Sequence, residues 1–180
     1  MKILVITGAS DGIGAEMARQ LAAKHGREIA LVLAARNETS LAHVARQCAA
    51  HGTNTVVQKT DVSVQAQCRE LIEGTVQKFG RIDALINNAG MSGHALFEDV
   101  KAEDLGWYEL LMRVNLWGSV WWTHAALPYL KQSRGSVVAV SSLAGLIGVP
   151  GRTAYSATKF AMTGFFLKRC GPNLKAPASA

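Results

Sequence analysis

Tyr155 and Lys159 stand four residues apart in the string Tyr155-Ser156-Ala157-Thr158-Lys159. On a helix that spacing puts both side chains on one face. An ammonium beside a phenol favours the phenolate and would draw the tyrosine pKa down from about 10 toward working pH. A tyrosine tuned in this way can give and take a proton as a general acid and base. Upstream, an apolar run ends at Ser141-Ser142. Side chains alternate along a strand, so only one of these two serines can face a cleft at its end. Asn115 lies in Asn115-Leu116-Trp117-Gly118, inside a long apolar stretch. Asparagine favours caps and turns over helix interiors, so this one needs a separate reason to be there.

A second group of residues could hold an anion. Thr7-Gly8-Ala9-Ser10-Asp11-Gly12-Ile13-Gly14 follows a short apolar run and opens an amphipathic one. Gly8 permits a tight turn, Gly12 lets backbone approach a pyrophosphate with no Cβ in the way, and Gly14 allows helix and strand to pack closely. The helix behind such a turn aims its first amides and the positive end of its dipole at the anion.

The elements that must position these residues follow from patterning. Short apolar runs at Ile3–Thr7, Ile29–Ala35, Thr55–Lys59, Ala84–Asn87 and Ser136–Ser141 suit strands buried on both faces of a parallel sheet. Between them, Ile13–His25, Ser40–Ala50, Val64–Phe79 and about Leu105–Leu130 read as helices. Gly26, Gly52 and Gly80 sit just past three of them, where a left-handed residue is wanted. Strand–helix alternation of this kind predicts an α/β fold with a doubly wound, Rossmann-like parallel sheet. Ligands of such sheets bind at the carboxyl ends of the strands, so the residues just after each strand carry the chemistry.

Composition narrows the function classes. Apolar residues make up 49% of the 180 residues and charged residues 18%, which fits an ordinary globular domain with a real core. The net charge is +6, but Lys and Arg are spread along the chain without a cluster, so neither nucleic acid nor a membrane surface is expected as a partner. No apolar run is long enough for a membrane span, and Met1-Lys2 leads directly into the first strand with no room for a signal peptide. Cys48, Cys68 and Cys170 form no paired or zinc-binding spacing, and the five histidines are scattered, so free thiols, a cytoplasmic setting and no metal are expected.

Taken in order, the glycine turn TGASDGIG, Asn87-Asn88-Ala89-Gly90 after the fourth strand, Asn115, Ser142 and the Tyr155/Lys159 pair resemble the short-chain dehydrogenase/reductase family. The spacing of Gly8, Gly12 and Gly14 is that of its single-domain branch. The resemblance implies an enzyme that moves a hydride between a nicotinamide cofactor and a carbonyl or secondary alcohol. It implies cofactor contacts from Gly8, Ser10, Gly12, Ile13, Gly14, Arg36, Asn37, Asp61, Val62, Asn88, Ala89 and Gly90, and from Tyr155 and Lys159 on the nicotinamide side. Asp61 would accept from the adenine amino group, although a helix-start role beside a capping Ser63 is the competing reading. Ser142, rather than Ser141, would orient the substrate oxygen. Asn115 would distort its helix locally and hold a water that relays protons to Lys159.

The cofactor is read at the end of the second strand. The usual acidic position for binding ribose hydroxyls is filled by Ala35, and Arg36 follows, which favours NADP(H) over NAD(H). Asp11 cuts the other way, because a carboxylate in the glycine turn adds nothing for a phosphate. Asn37 is expected to share its role with capping the next helix. Trp107, Trp117, Trp121 and Trp122 crowd one segment. Core packing or a helix-pair interface in a homo-oligomer is favoured there over an aromatic substrate wall.

The resemblance covers residues 1–166 as a partial NADP-binding domain. Residues 167–180 read as an aberrant tail, because Pro172 breaks the helix that relatives continue. One permitted coding of Leu167–Ala180, read two bases later, gives an amphipathic continuation, consistent with a shifted reading frame. On this reading the sheet is incomplete at its C-terminal edge, the pocket lacks an outer wall, and weak catalysis and poor stability are expected. The competing expectation is an inactive fragment or an NADP-binding module.

Overall fold

The computed structural model describes residues 1–167. Five strands form one parallel sheet: β1 (Lys2–Thr7), β2 (Ile29–Ala35), β3 (Asn54–Lys59), β4 (Ala84–Asn87) and β5 (Ser136–Ala139), in the order β3-β2-β1-β4-β5. The helices are α1 (Gly12–His25), α2 (Glu38–Ala49), α3 (Gln65–Phe79), α4 (Gly106–Met112), α5 (Gly118–Ser133) and α6 (Thr153–Leu167). This is the doubly wound, Rossmann-like α/β arrangement that the sequence predicts. Its unbroken apolar strands are explained by two-sided burial: every residue of β2 is buried.

Alternation along the strands divides the core into two layers. Leu4, Ile6, Leu31 and Leu33 pack with Ala15, Ala18 and Ala22 of α1 and with Leu41, Val44 and Cys48 of α2. Ile3, Val5 and Val32 point the other way, onto Cys68, Leu71 and Ile72 of α3 and Trp122, Ala126 and Leu130 of α5. The chain crosses from one face to the other between β3 and β4, so the strand order reverses beside β1. A crevice opens there at the strands' carboxyl ends.

Several local expectations need correction. Gly80 does end α3 in the left-handed region, at φ 73° and ψ −4°. Gly26 has φ 50° but ψ −120°, and instead of terminating the chain's helical course it opens a single 3₁₀ turn, Gly26–Glu28. Val64, not Ser63, precedes α3, because Ser63 is taken up by Asp61. The expected helix over Leu105–Leu130 is two helices joined by a π-helical turn, Arg113–Trp117, and it runs on to Ser133. The fifth strand stops at Ala139 rather than Ser141. Beyond the Val140 N–H, which still donates to Asn87 O, the chain turns away. Among the described residues β5 is an edge strand, and Val138 on it is 45% exposed. The tail expected at 167–180, with Cys170, lies outside the described residues but for Leu167, the last residue of α6. No helix of the described residues is long and apolar enough to cross a membrane.

Candidate active site

The glycine turn forms the floor of a cleft of about 430 Å³. Gly8 has φ 66°, and a Cβ there would stand 2.8 Å from Ala89 Cα. Only glycine fits that close approach. A Cβ on Gly14 would run into the Gly8 carbonyl oxygen and lie 2.5 Å from Asn88 Nδ2. Gly14 is therefore where α1 seats on the turn. Gly12 differs: its φ is 50°, and a Cβ there would meet nothing within 4 Å. The space in front of it is open. No side chain caps α1, since Asp11 at the cap position makes no such bond, so the first amides of this helix remain available to an anion.

Of the cofactor residues expected from the sequence, Gly8, Ser10, Ile13, Arg36, Asn37, Asp61, Val62, Asn88, Ala89 and Gly90 line this one cleft. Gly12 and Gly14 belong to its turn without lining it, and Tyr155 and Lys159 lie beyond its Gly90 end. Arg36 and Ala35 stand at the end of β2, with no carboxylate at the Ala35 position. Asn37 caps α2, its Oδ1 accepting from the Ser40 N–H at 3.0 Å. Asp61 Oδ1 accepts from the Ser63 N–H at 2.9 Å and from Ser63 Oγ at 2.7 Å. Asp61 thus orders the chain ahead of α3, as the competing reading has it, and it also lines the cleft. Asp11, exposed on the same lining, sets a carboxylate near the open turn. The glycine cradle, uncapped helix and arginine fit a dinucleotide, while the Asp11 and Asp61 carboxylates on the same lining add nothing for a phosphate.

The loop after β4 is fixed by Thr7, a residue the sequence reading passed over as a strand end. Thr7 Oγ1 accepts from the N–H groups of Asn88 and Ala89, each at 3.0 Å. Asn88 Nδ2 donates back to the carbonyls of Thr7 and Gly8. Asn87 is buried and donates to Thr123 Oγ1 at 3.1 Å. Asn88 therefore ties its loop to the glycine turn, and Asn87 ties the end of β4 to α5. Thr60, Met91 and Val114 also line the cleft. They carry no motif, and only topology brings them there.

Asn115 is at the centre of the π turn and has no exposed surface. Its Oδ1 accepts from Met91 N at 2.8 Å; its Nδ2 donates to Met91 O and to Thr158 Oγ1, both at 2.9 Å. The distortion expected at Asn115 is present. It turns the amide sideways, out of the helix and between the β4 loop and α6. The backbone carbonyl of Asn115 accepts from Ser119 Oγ at 3.2 Å.

Ser141 and Ser142 diverge. Ser141 Oγ pairs with Thr163 Oγ1 at 2.9 Å on α6. Ser142 Oγ accepts from the Ala144 N–H at 3.2 Å at the start of a 3₁₀ turn, Leu143–Gly145, and still has its own proton to give. Tyr155 and Lys159 share a face of α6, with the ammonium 5.7 Å from the phenol ring centroid. Lys159 is only 4% exposed and donates to Val140 O at 2.9 Å. Burial holds its pKa below the ordinary lysine value. A Cβ on Gly90 would lie 3.3 Å from Asn115 Oδ1 and 3.8 Å from Lys159 Nζ. The cleft, Asn115 and Lys159 therefore meet at Gly90.

The tryptophans do not act as one set. Trp122 is fully buried in the core; Trp117 stacks on Trp121 at 6.1 Å, under Arg113. Trp107 covers Gly93 and lines a second cavity of about 260 Å³ with Tyr108 and Ala154. Among the described residues no three His, Cys, Asp or Glu side chains gather as metal ligands. Cys48 and Cys68 are buried free thiols, and burial pushes Cys68 up to about 12.

The short chain dehydrogenase family matches residues 2–170. The chain is 42% identical over 166 residues to 11-beta-hydroxysteroid dehydrogenase A of Sesamum indicum, covering 92% of this chain and 46% of that protein. It is 40% identical over 166 residues to 11-beta-hydroxysteroid dehydrogenase-like 4A of Arabidopsis thaliana, covering 92% of this chain and 54% of the relative. The chain thus spans about half the length of the curated relatives it matches. Among solved structures, an alcohol dehydrogenase from the archaeon Thermococcus sibiricus, complexed with 5-hydroxy-NADP, superposes with a TM-score of 0.86 at 30% identity, over 93% of this chain and 69% of the other.

Proposed function

The chain belongs to the short-chain dehydrogenase family, and on that premise we propose that it is an NADP(H)-dependent oxidoreductase acting on a carbonyl or secondary alcohol. The observation that carries this reading is the meeting at Gly90 of the glycine-floored cleft with Asn115 and Lys159. A dinucleotide held along the cleft would bring its reactive end to the residues able to move a proton. Gly8, Ser10, Gly12, Ile13 and Gly14 would hold the pyrophosphate, Asp61 and Val62 the adenine, and Asn88, Ala89 and Gly90 the ribose. When bound, the nicotinamide supplies or accepts the hydride.

The remaining chemistry is the chain's own. Ser142 would donate to the substrate oxygen and orient it. Tyr155 would give that oxygen its proton in reduction and take it in oxidation. Lys159, held by Val140 O, would favour the phenolate. Asn115 would keep the β4 loop and α6 in register and hold a water that relays protons to Lys159. Arg36, with Ala35 in place of an acid, supports NADP(H) over NAD(H). The NADP analogue bound by the T. sibiricus enzyme agrees with that preference.

The substrate side is apolar. Leu143, Leu146 and Ile147, which follow Ser142, are 65%, 63% and 54% exposed. They support an apolar carbonyl or alcohol, in keeping with the steroid named for the plant relatives. We take residues 1–166 as one dinucleotide-binding domain, and the buried free thiols of Cys48 and Cys68 as support for a reducing, cytoplasmic setting. Exposed Leu110 and Trp117 support self-association through the Trp-rich segment.

The test is a fluorescence titration of the purified chain with NADPH and with NADH, beside a turnover assay with a panel of ketones and secondary alcohols. The reading requires tighter NADPH binding and cofactor-dependent turnover of at least one apolar substrate. Equal or absent binding of both cofactors would contradict it.

A further inference from the structure

We propose that Thr158 is a positioning residue, one that sets Tyr155 through a chain of hydrogen bonds starting at the cofactor cleft. The proposal rests on the reading of Tyr155 as the acid/base group. Thr158 has no exposed surface. Its hydroxyl accepts from Asn115 Nδ2 at 2.9 Å and donates to the Tyr155 carbonyl at 2.8 Å.

The direction of every bond in this chain is forced. The Met91 backbone N–H can only donate, so the Asn115 atom facing it must be the oxygen. The amide nitrogen then faces Met91 O and Thr158 Oγ1, and spends one hydrogen on each. Thr158 Oγ1 is thereby an acceptor toward Asn115, and its own proton goes to Tyr155 O. The hydroxyl has one orientation, dictated by Met91, which lines the cleft. The bond to Tyr155 O reaches back three residues, in the first turn of α6. It fixes the backbone that carries the phenol, ahead of Lys159 on the same face. A buried network in which every member is satisfied favours one geometry.

Valine is nearly isosteric with threonine, but it would leave a buried Asn115 N–H unpaired and remove the second of two bonds to the Tyr155 carbonyl, which α6 itself also engages. Serine keeps the hydroxyl and drops only a methyl. The full chain is therefore compared as wild type, Thr158→Val, Thr158→Ser and Thr158→Cys. The first readout is the ultraviolet titration of the Tyr155 phenol with saturating NADP⁺, isolated by subtracting the same titration of Tyr155→Phe; it needs no turnover. The second is kcat and KM.

The expected result for Thr158→Val is a midpoint raised by about half a pH unit and a kcat lowered about tenfold with KM within about twofold. Thr158→Ser should stay within about twofold of wild type on both. If Thr158→Val does not fold, Thr158→Cys, a weak hydrogen-bonding isostere of serine, is read against Thr158→Ser in its place. A valine variant matching wild type, or a serine variant as impaired as valine, overturns the proposal. Failure of the underlying reading looks different: Tyr155→Phe would then match wild type in turnover, whatever Thr158 does.

Discussion

The ammonium of Lys159 donates to the carbonyl of Val140 at 2.9 Å, in a setting that leaves the lysine only 4% exposed. A residue of α6 is thus pinned to the chain leaving β5, one residue before Ser141 and two before Ser142. The lysine head and the serine that would orient the substrate are held by neighbouring backbone. The same contact is what a buried charge needs to be tolerable, because a cation taken from water must recover hydrogen bonds.

Burial lowers the Lys159 pKa, and the sign of its effect on stability follows. Between the folded value and the ordinary lysine value, the unfolded chain holds a proton that the folded chain has released. Stability therefore rises with pH through that window, and the full cost of the buried charge is present below it. Lys159→Met should raise Tm at neutral pH by roughly 2–4 °C and flatten the rise toward alkaline pH. Thermal unfolding at several pH values checks both. A lower Tm for the variant would show that the Val140 bond outweighs the burial cost.

Gly12 and Gly14 should separate binding from folding. Gly14→Ala drives a Cβ into the Gly8 carbonyl and Asn88 Nδ2, neither of which can retreat without moving the turn. It should cost about 1–3 kcal/mol of stability, measured by urea unfolding. Gly12→Ala meets no neighbour and pays only for its positive φ, about 1–2 kcal/mol. Its methyl would stand in the open space before the helix. NADPH affinity should therefore fall well beyond what the stability loss explains.

Arg36→Glu should invert cofactor preference. An arginine–phosphate interaction is worth about 1.5–3 kcal/mol, which corresponds to about tenfold to a hundredfold in affinity. NADPH binding should weaken by that factor while NADH binding is held or improved. Asp11→Ser should tighten NADPH in the opposite sense, by removing the carboxylate from the cleft lining. Fluorescence titrations with both cofactors check the pair.

What could be read from the sequence followed physical necessity. β2 is buried on both faces, and that burial forces the unbroken Ile29–Ala35 run. The glycine turn was legible because Gly8 and Gly14 have no alternative residue. Asn115 stood out as a polar residue in an apolar helix, and the π turn is its reason. Thr7 and Thr158 were not legible. A buried threonine looks like any strand or helix residue until its hydroxyl's partners, 81 and 43 residues away, are known. Core packing, one of the two roles expected for the tryptophans, holds for Trp122 but not for all four. Helical spacing says they are neighbours, but not that Trp122 faces the core while Trp107 covers Gly93.

The central claim is that Tyr155 moves the proton at the end of a dinucleotide cleft. Its most direct test is the initial rate of NADPH oxidation with an apolar ketone, measured for the wild-type chain and Tyr155→Phe at equal cofactor saturation. The variant should turn over about 10²–10⁴-fold more slowly with unchanged NADPH affinity. Equal rates for the two proteins would contradict the account.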